Sequence, residues 1–218
     1  MAALPSLDPE LERRLVQVLE QARQQGFLGP GAAMDHVEHA LDLAQRIQNI
    51  SPARALDLGS GGGVPGLILL SAFPHLTMVL LDAQQRRSTF LRHAVTELGF
   101  DGRVEVVAAR AEEAGRRPGL RGSFDVVVAR SFGPPATTAE CAAPFLRVGG
   151  HLFVSEPPGG PERWPVDGLA ELGLVLEHLH GGPQGNFHYA QFQARMACGD
   201  RFPRRDGVPA KRPLFSTP

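Results

Sequence analysis

The stretch LDLGSGGGVPG, Leu56 to Gly66, decides how the chain is read. Gly61, Gly63 and Gly66 form a G-x-G-x-x-G, the spacing of a loop wrapped around a dinucleotide pyrophosphate. Yet Asp57 ends the apolar run that feeds the loop, where dinucleotide loops place an apolar residue. A pyrophosphate about 4 Å from that carboxylate would be repelled by roughly 1–4 kcal/mol in water-like to surface-like dielectric. A ligand with an amine and a sulfonium, S-adenosylmethionine, gains from the same charge. Glycine at Gly59, Gly61 and Gly63 lets the backbone approach such a ligand with no Cβ in the way, and Pro65 suits the first turn of the following helix. A bare strand-to-helix turn is the competing reading, but five glycines between residues 59 and 66 exceed what a turn requires.

Outward from the loop, short apolar runs alternate with helical stretches. RALDLG, TMVLLD, VEVVAAR, FDVVVAR and GHLFVSE read as parallel strands buried on both faces, and the segments between them as helices. This alternation predicts a doubly wound α/β sheet. After the fifth run the rhythm breaks. LGLVLEHLH and HYAQFQARM are joined only by GGPQGNF, too short for a helical crossover, so the pair is expected to be an antiparallel hairpin. Dinucleotide folds complete the sheet with parallel strands, so the hairpin favours a Rossmann-like class I S-adenosylmethionine-dependent methyltransferase. Asp82 ends the second run, 25 positions after Asp57, where an acid accepts both ribose hydroxyls. Arg86 and Arg87 after it read as a solvated helix turn rather than a 2′-phosphate site.

Two helices precede the sheet. Leu11, Leu15, Val18, Leu19 and Ala22 share one face of the first, with Asp8 as its N-cap. The second opens with a capping-box-like Asp35 and Glu38 and turns Val37, Leu41, Ala44 and Ile47 inward. The organisation expected is a helical segment over 1–50 packed on the core, a methyltransferase domain over 51–198, and a basic, Pro/Arg-rich tail over 199–218, irregular in structure.

Composition narrows the setting. A chain of 218 residues with 43% hydrophobic and 21% charged residues is that of an ordinary globular protein. It has no apolar stretch of about 20 residues, and its start lacks a secretory pattern. Two distant cysteines, Cys141 and Cys198, fit a reducing cytoplasm and no zinc knuckle. A net charge of −1 argues against broad nucleic-acid affinity while allowing a local basic patch. The near-absence of lysine, Lys211 alone, reads as coding bias.

DLGSGGGVPGLILLSAFPHLTMVLLDAQQRRSTFLRHAVTELGF, then ARAEE, FDVVVARS and the closing FPRRDGVPAKRPL, resemble the RsmG (GidB) family. That family methylates N7 of one guanine in bacterial 16S ribosomal RNA. The resemblance implies that Gly59 and Val64 contact the donor, Asp82 holds its ribose, and Ala111 and Glu112 lie beside its adenine. It also implies that Arg130 stands next to the reacting centre and that Arg204 and Lys211 face the RNA. His39 matches the family's histidine in that region. The implied partner is 16S ribosomal RNA or a small-subunit precursor, for a monomer that needs neither membrane nor metal. The chain departs from the family after the fifth strand, where VSEPPGG replaces a lysine followed by glycine, and the family's N-terminal asparagine-leucine-threonine stretch is not evident. An acid there reverses the local field. This motivates a second reading, a methyltransferase acting on a small molecule; a third, from another class, is a non-catalytic S-adenosylmethionine- or RNA-binding module.

Other constellations read blandly. SEPP reads as a loop, His36 and His39 as a partly exposed helix face rather than a metal site, and His178, His180 and His188 as edge-strand surface. Cys141 reads as core. Guanine N7 keeps a free lone pair at neutral pH, so no general base is expected. Arg130, too basic to accept a proton, is expected to orient the base or a phosphate.

Overall fold

The computed structural model describes residues 7–181 and 187–216. The chain divides into two compact units, Met1–Ala108 and Ala109–Pro218.

In the first unit, α1 (Pro9–Gln24) starts where the sequence placed it, with the Asp8 carboxylate accepting the N–H groups of Glu10 and Leu11 at 3.0 Å. Leu15, Val18, Leu19 and Ala22 are fully buried, whereas Leu11 is half-buried. In α2 (Ala33–Ile47) the cap differs from expectation. Ala32 is the N-cap, and Asp35 lies inside the first turn, reaching back to accept the Ala32 N–H at 2.9 Å. The buried face of α2 is also wider than the apolar spacing implied, taking in His36, Ala40, Leu43 and Asp42, the last paired with Arg46 at 3.0 Å.

The sheet of this unit comprises β1 (Arg54–Leu58), β2 (Thr77–Asp82) and β3 (Val104–Ala108), in the order β3-β2-β1 and parallel throughout. Crossovers α3 (Gly66–Ala72) and α4 (Gln85–Leu98) pack against α1. β1 and β2 are buried on nearly every residue, as continuous apolar runs require, while β3 exposes Glu105.

In the second unit, α5 (Ala111–Ala114) is a single turn. Gly115, Pro118 and Gly119 follow it and stop the helix that the segment 111–122 was expected to form. β4 (Phe124–Ala129) and α6 (Pro135–Ala142) come next, then β5 (Leu146–Glu156), which begins four residues earlier than GHLFVSE suggested. The extra length is accommodated by a register shift opposite Phe124 and Val126. There, Gly150 runs so close that a Cβ would stand 2.8 Å from the Phe124 carbonyl. After α7 (Val166–Ala170), β6 (Leu174–Gly181) and β7 (His188–Ala194) form the expected antiparallel pair, in the order β4-β5-β7-β6. Most of the connection GGPQGNF lies outside the described residues.

The tail is more ordered than its composition suggested. Arg121 donates to the carbonyls of Cys198, Gly199 and Phe202 at 2.7–3.0 Å, and Arg116 to that of Pro203. Phe202 is buried, and a last turn, α8 (Val208–Lys211), docks with the Thr137 hydroxyl donating to the Pro209 carbonyl at 3.2 Å.

Candidate active site

The glycine loop leaves β1 and is fixed at its start by three hydrogen bonds. The N–H groups of Gly59 and Ser60 donate to the Leu81 carbonyl at 2.8 and 3.0 Å, and the Ser60 hydroxyl donates to the Asp57 carbonyl at 3.0 Å. Gly59, Gly61 and Gly63 have φ of +75°, +55° and +94°, left-handed conformations that a side chain would strain. Two of the glycines also answer to α1 and the turn after it. A Cβ on Gly61 would lie 3.3 Å from the Phe27 carbonyl, and one on Gly62 would lie 2.7 Å from the Leu28 side chain. Val64 is buried, and Pro65, preceded by a cis peptide, is the N-cap of α3 rather than its first helical residue.

Asp57 is 1% exposed, and its Oδ2 accepts the Gly66 N–H at 3.0 Å. The carboxylate therefore lies beneath the loop at the start of α3. Gly66 is the residue that permits this, because a Cβ there would approach Asp57 Oδ2 to 2.7 Å. Asp82, also buried, accepts from Gly61 at 2.9 Å through one oxygen and from Gln84 at 2.8 Å through the other. Arg87 stands 3.6 Å from it, and Arg86 lies over the Phe27 ring, so neither is merely solvated. An ionised carboxylate has about four acceptor positions, so Asp82 keeps capacity for ribose hydroxyls after both backbone bonds. The loop and Asp82 fit a nucleoside.

In the second unit, Ala111 and Glu112 begin α5, and both are buried. Glu112 Oε1 accepts from Arg110 at 2.8 Å and from the Gly207 N–H at 2.9 Å. Burial pushes the Glu112 carboxyl up, but these bonds outweigh it and hold the group below the usual glutamate range. Arg204 is turned inward. Its backbone N–H and guanidinium give Glu140, which is 0% exposed, four hydrogen bonds of 2.6–3.1 Å. This pairing holds the Arg204 pKa above its ordinary value. Lys211, at the end of α8, is exposed.

Arg130 follows β4 directly and is half-buried. The next residue, Ser131, has φ +55°, a conformation uncommon outside glycine, so the chain turns sharply where the arginine is presented. Pairing of Ala129 with Val154 puts the end of β5 alongside. That end holds a feature the sequence reading passed over as a loop: a cleft lined by Glu156, Pro157, Gly160, Leu179, His188 and Tyr189.

The remaining candidates do not assemble a site. His36 is buried rather than partly exposed, with its Nε2 3.4 Å from the Gly29 carbonyl. Cys141 is 1% exposed and burial pushes its thiol up, as befits core. Among the described residues, no group of three or more His, Cys, Asp or Glu is placed to hold a metal ion. Nor is any described helix long and apolar enough to cross a membrane.

A model of the GidB family, rRNA small subunit methyltransferase G, matches residues 17–156. The chain belongs to that family. Its relatives include the ribosomal RNA small subunit methyltransferase G of Moorella thermoacetica, 36% identical over 82% of this chain and 77% of the relative. The Rubrobacter xylanophilus protein of the same name is 35% identical over 82% and 72%. Among solved structures, the O-methyltransferase TomG from Streptomyces achromogenes, in complex with SAM, superposes with a TM-score of 0.58 at 18% identity. That likeness covers 88% of this chain and 92% of TomG. An O-methyltransferase from Bacillus cereus, in complex with SAH, gives 0.58 at 14% identity, over 83% and 89%. The chain thus has the class I methyltransferase fold and is an S-adenosylmethionine-dependent methyltransferase.

Two parts of the region escaped the sequence reading. Glu140 is an ionisable residue in the otherwise small and apolar stretch AECAAPFL, and that mismatch was the available signal for a buried ion pair. The cleft had only the departure at Ser155–Glu156 to announce it.

Proposed function

We propose that this protein methylates N7 of a guanine in 16S ribosomal RNA, in the cytoplasm and as a monomer. Family membership across the glycine loop, Asp82, Glu112 and Arg130 is the observation that carries the reading. In this reading Gly59, Gly61, Gly63 and Val64 line the donor, Asp82 takes its ribose, and the turn at Ala111 and Glu112 borders its adenine. Asp57 contributes its negative charge from below the loop and fixes the start of α3.

S-adenosylmethionine supplies an electrophilic methyl group on sulfur. The protein need only align the guanine lone pair with it, because N7 is unprotonated at neutral pH. Arg130, always cationic, positions the base or its phosphate without competing for a proton. Lys211 offers a phosphate contact from the tail, and Arg204 supports that contact by anchoring the tail to Glu140. A second reading, a small-molecule acceptor, is favoured by one observation: the acid Glu156 at the end of β5.

Mapping modified guanines in 16S RNA from cells with and without the gene tests the reading, with one modification expected to vanish. Unchanged RNA would transfer the preference to a small molecule. Arg130→Ala should depress methyl transfer at least about tenfold, the lower range for a positioning group, while S-adenosylhomocysteine affinity stays within a few-fold. Equal activity would remove Arg130 from the mechanism.

A further inference from the structure

The tail is pinned from inside at intervals, and between the pins it turns cations outward. Arg121 and Arg116 hold its first part by the carbonyls of Phe202 and Pro203. Glu140 then takes Arg204, Glu112 takes the Gly207 N–H, and Thr137 donates to the Pro209 carbonyl. Between Arg204 and residue 213, the exposed positions are Arg205, Asp206 and the run AKRP over 210–213. Asp206, the one acid among them, stands 3.6 Å from Arg110 Nε, so a neighbouring element offsets its charge. Arg205, Lys211 and Arg212 are left. Among the described residues none of these three enters an ion pair, whereas Arg110, Arg201 and Arg204 have carboxylate partners at 2.8, 2.9 and 2.6 Å.

The backbone gathers the three cations into one compact turn. The Val208 N–H donates to the Arg205 carbonyl at 2.9 Å, and the Arg212 N–H to that of Val208 at 2.9 Å. Arg204 closes the turn, its Nη2 donating to the Arg212 carbonyl at 2.7 Å. The Glu140–Arg204 pair thus fixes the main chain that carries the cations. Their place is specific too. Glu112 belongs to α5 and Thr137 to the first turn of α6, which opens shortly after Arg130. The turn is therefore docked on the two elements that, in the reading above, border the adenine and follow the reacting centre.

Exposure alone selects no ligand, since unpaired cations are well solvated. Ordering them is what needs a reason, because fixing a backbone costs conformational entropy at every residue. Here a fully buried ion pair and the buried Phe202 offset that cost for a segment that adds no strand to the sheet. A preordered group of unpaired cations suits a polyanion, whose phosphates exchange condensed counterions for protein charges.

We propose that Arg205, Lys211 and Arg212 form a phosphate-binding surface for the RNA backbone, supported from beneath by Arg204. This rests on the rRNA reading above and extends it to two arginines that the family resemblance leaves unassigned. Arg204, which that resemblance turned toward RNA, faces the interior instead. Phosphate contacts carry no base identity, so the surface supplies affinity and register while the reacting centre selects the base.

The test measures binding of the full-length protein to 16S rRNA from cells lacking the gene, at several salt concentrations. S-adenosylhomocysteine is present, so no methyl is transferred. Each phosphate contact contributes about 0.7–0.9 to the slope of log affinity against log salt. Replacing Arg205, Lys211 and Arg212 together by glutamine should flatten that slope by about 2 and weaken binding roughly a hundredfold at about 0.1 M salt. Arg205→Lys combined with Arg212→Lys should keep the wild-type slope, because lysine binds phosphate as a point charge. Arg201→Gln, which removes an exposed cation already paired with Glu171, controls for a general loss of charge and should leave the slope unchanged. A triple variant with the wild-type slope overturns the proposal. So do lysine replacements as weak as the glutamine ones, or a loss in Arg201→Gln equal to that of Arg212→Gln. Methylation is scored separately on the same RNA. Salt-sensitive binding with no methyl reaching guanine N7 would remove the guanine-N7 reading and leave this surface standing. Methylation with an unaltered slope in the triple variant would do the reverse.

Discussion

The tail region and the end of β5 both bury carboxylates, and they treat them differently. Glu112 and Glu140 are each bound by backbone and guanidinium donors, so their charges hold the tail in place. Glu156 has Arg163 beside it, yet burial still prevails and its carboxyl is pushed up. The glycine loop follows the first pattern, with Asp57 and Asp82 each accepting backbone N–H groups. The contrast separates an acid whose partners outweigh its burial, Glu112, from one whose partners do not, Glu156.

The comparison is most exposed at Arg204. Removing it strands a fully buried carboxylate, so Arg204→Ala should cost about 3–5 kcal/mol. In a melting experiment that is a fall in Tm of roughly 6–20 °C for a chain of this size. A shift under about 2 °C would show that Glu140 does not depend on its partner. Next comes Gly66→Ala, whose Cβ would sit 2.5 Å from Leu80 Cδ2 and 2.7 Å from Asp57 Oδ2. Overpacking of this kind costs about 1–3 kcal/mol, readable in a urea titration as a lower midpoint.

The two remaining substitutions carry opposite pH signatures. Glu112 is held below its ordinary value of 4.5, so its stabilisation is present above that pH and is lost as pH falls through the lowered value. Glu112→Gln should therefore lose about 1–2 kcal/mol at pH 7, with the gap to the wild type closing in acid. Glu156 is raised, so the folded chain favours its neutral form and the wild type loses ground as pH climbs through the raised value. Glu156→Gln should melt at or slightly above the wild type at pH 8, and the two should converge near pH 4. A Glu156→Gln protein that melts well below the wild type at pH 8 would put Glu156 among the acids that build the fold.

Much of this was legible in the chain because it is written locally. Five strands follow from continuous apolar runs, and the hairpin follows from a connection too short to cross over. The glycine loop was legible as a site, but some of its glycines serve a second purpose. Gly61 and Gly62 also make room for Phe27 and Leu28, which are more than 30 residues away in sequence. The same distance problem hid the tail. Arg204 and Glu140 are 64 residues apart, and nothing in a string of arginines distinguishes the one that turns inward. The cleft joins Glu156 and Pro157 to Leu179, His188 and Tyr189, and only the folded sheet brings β5 beside β7. Asp35 erred by less, because the box Asp-x-x-Glu suits a helix start in either of two frames.

The close fit of Gly62 against Ala22 and Leu28 has a practical corollary for anyone wishing to trim the protein. A version starting at Ser51 would keep every strand and each residue assigned here to the donor. It would nonetheless strip the buttress from the outer side of the glycine turn, leaving a run of bare glycines to solvent. The first helix and the turn after it thus support the glycine loop mechanically, although none of their side chains is assigned a chemical part.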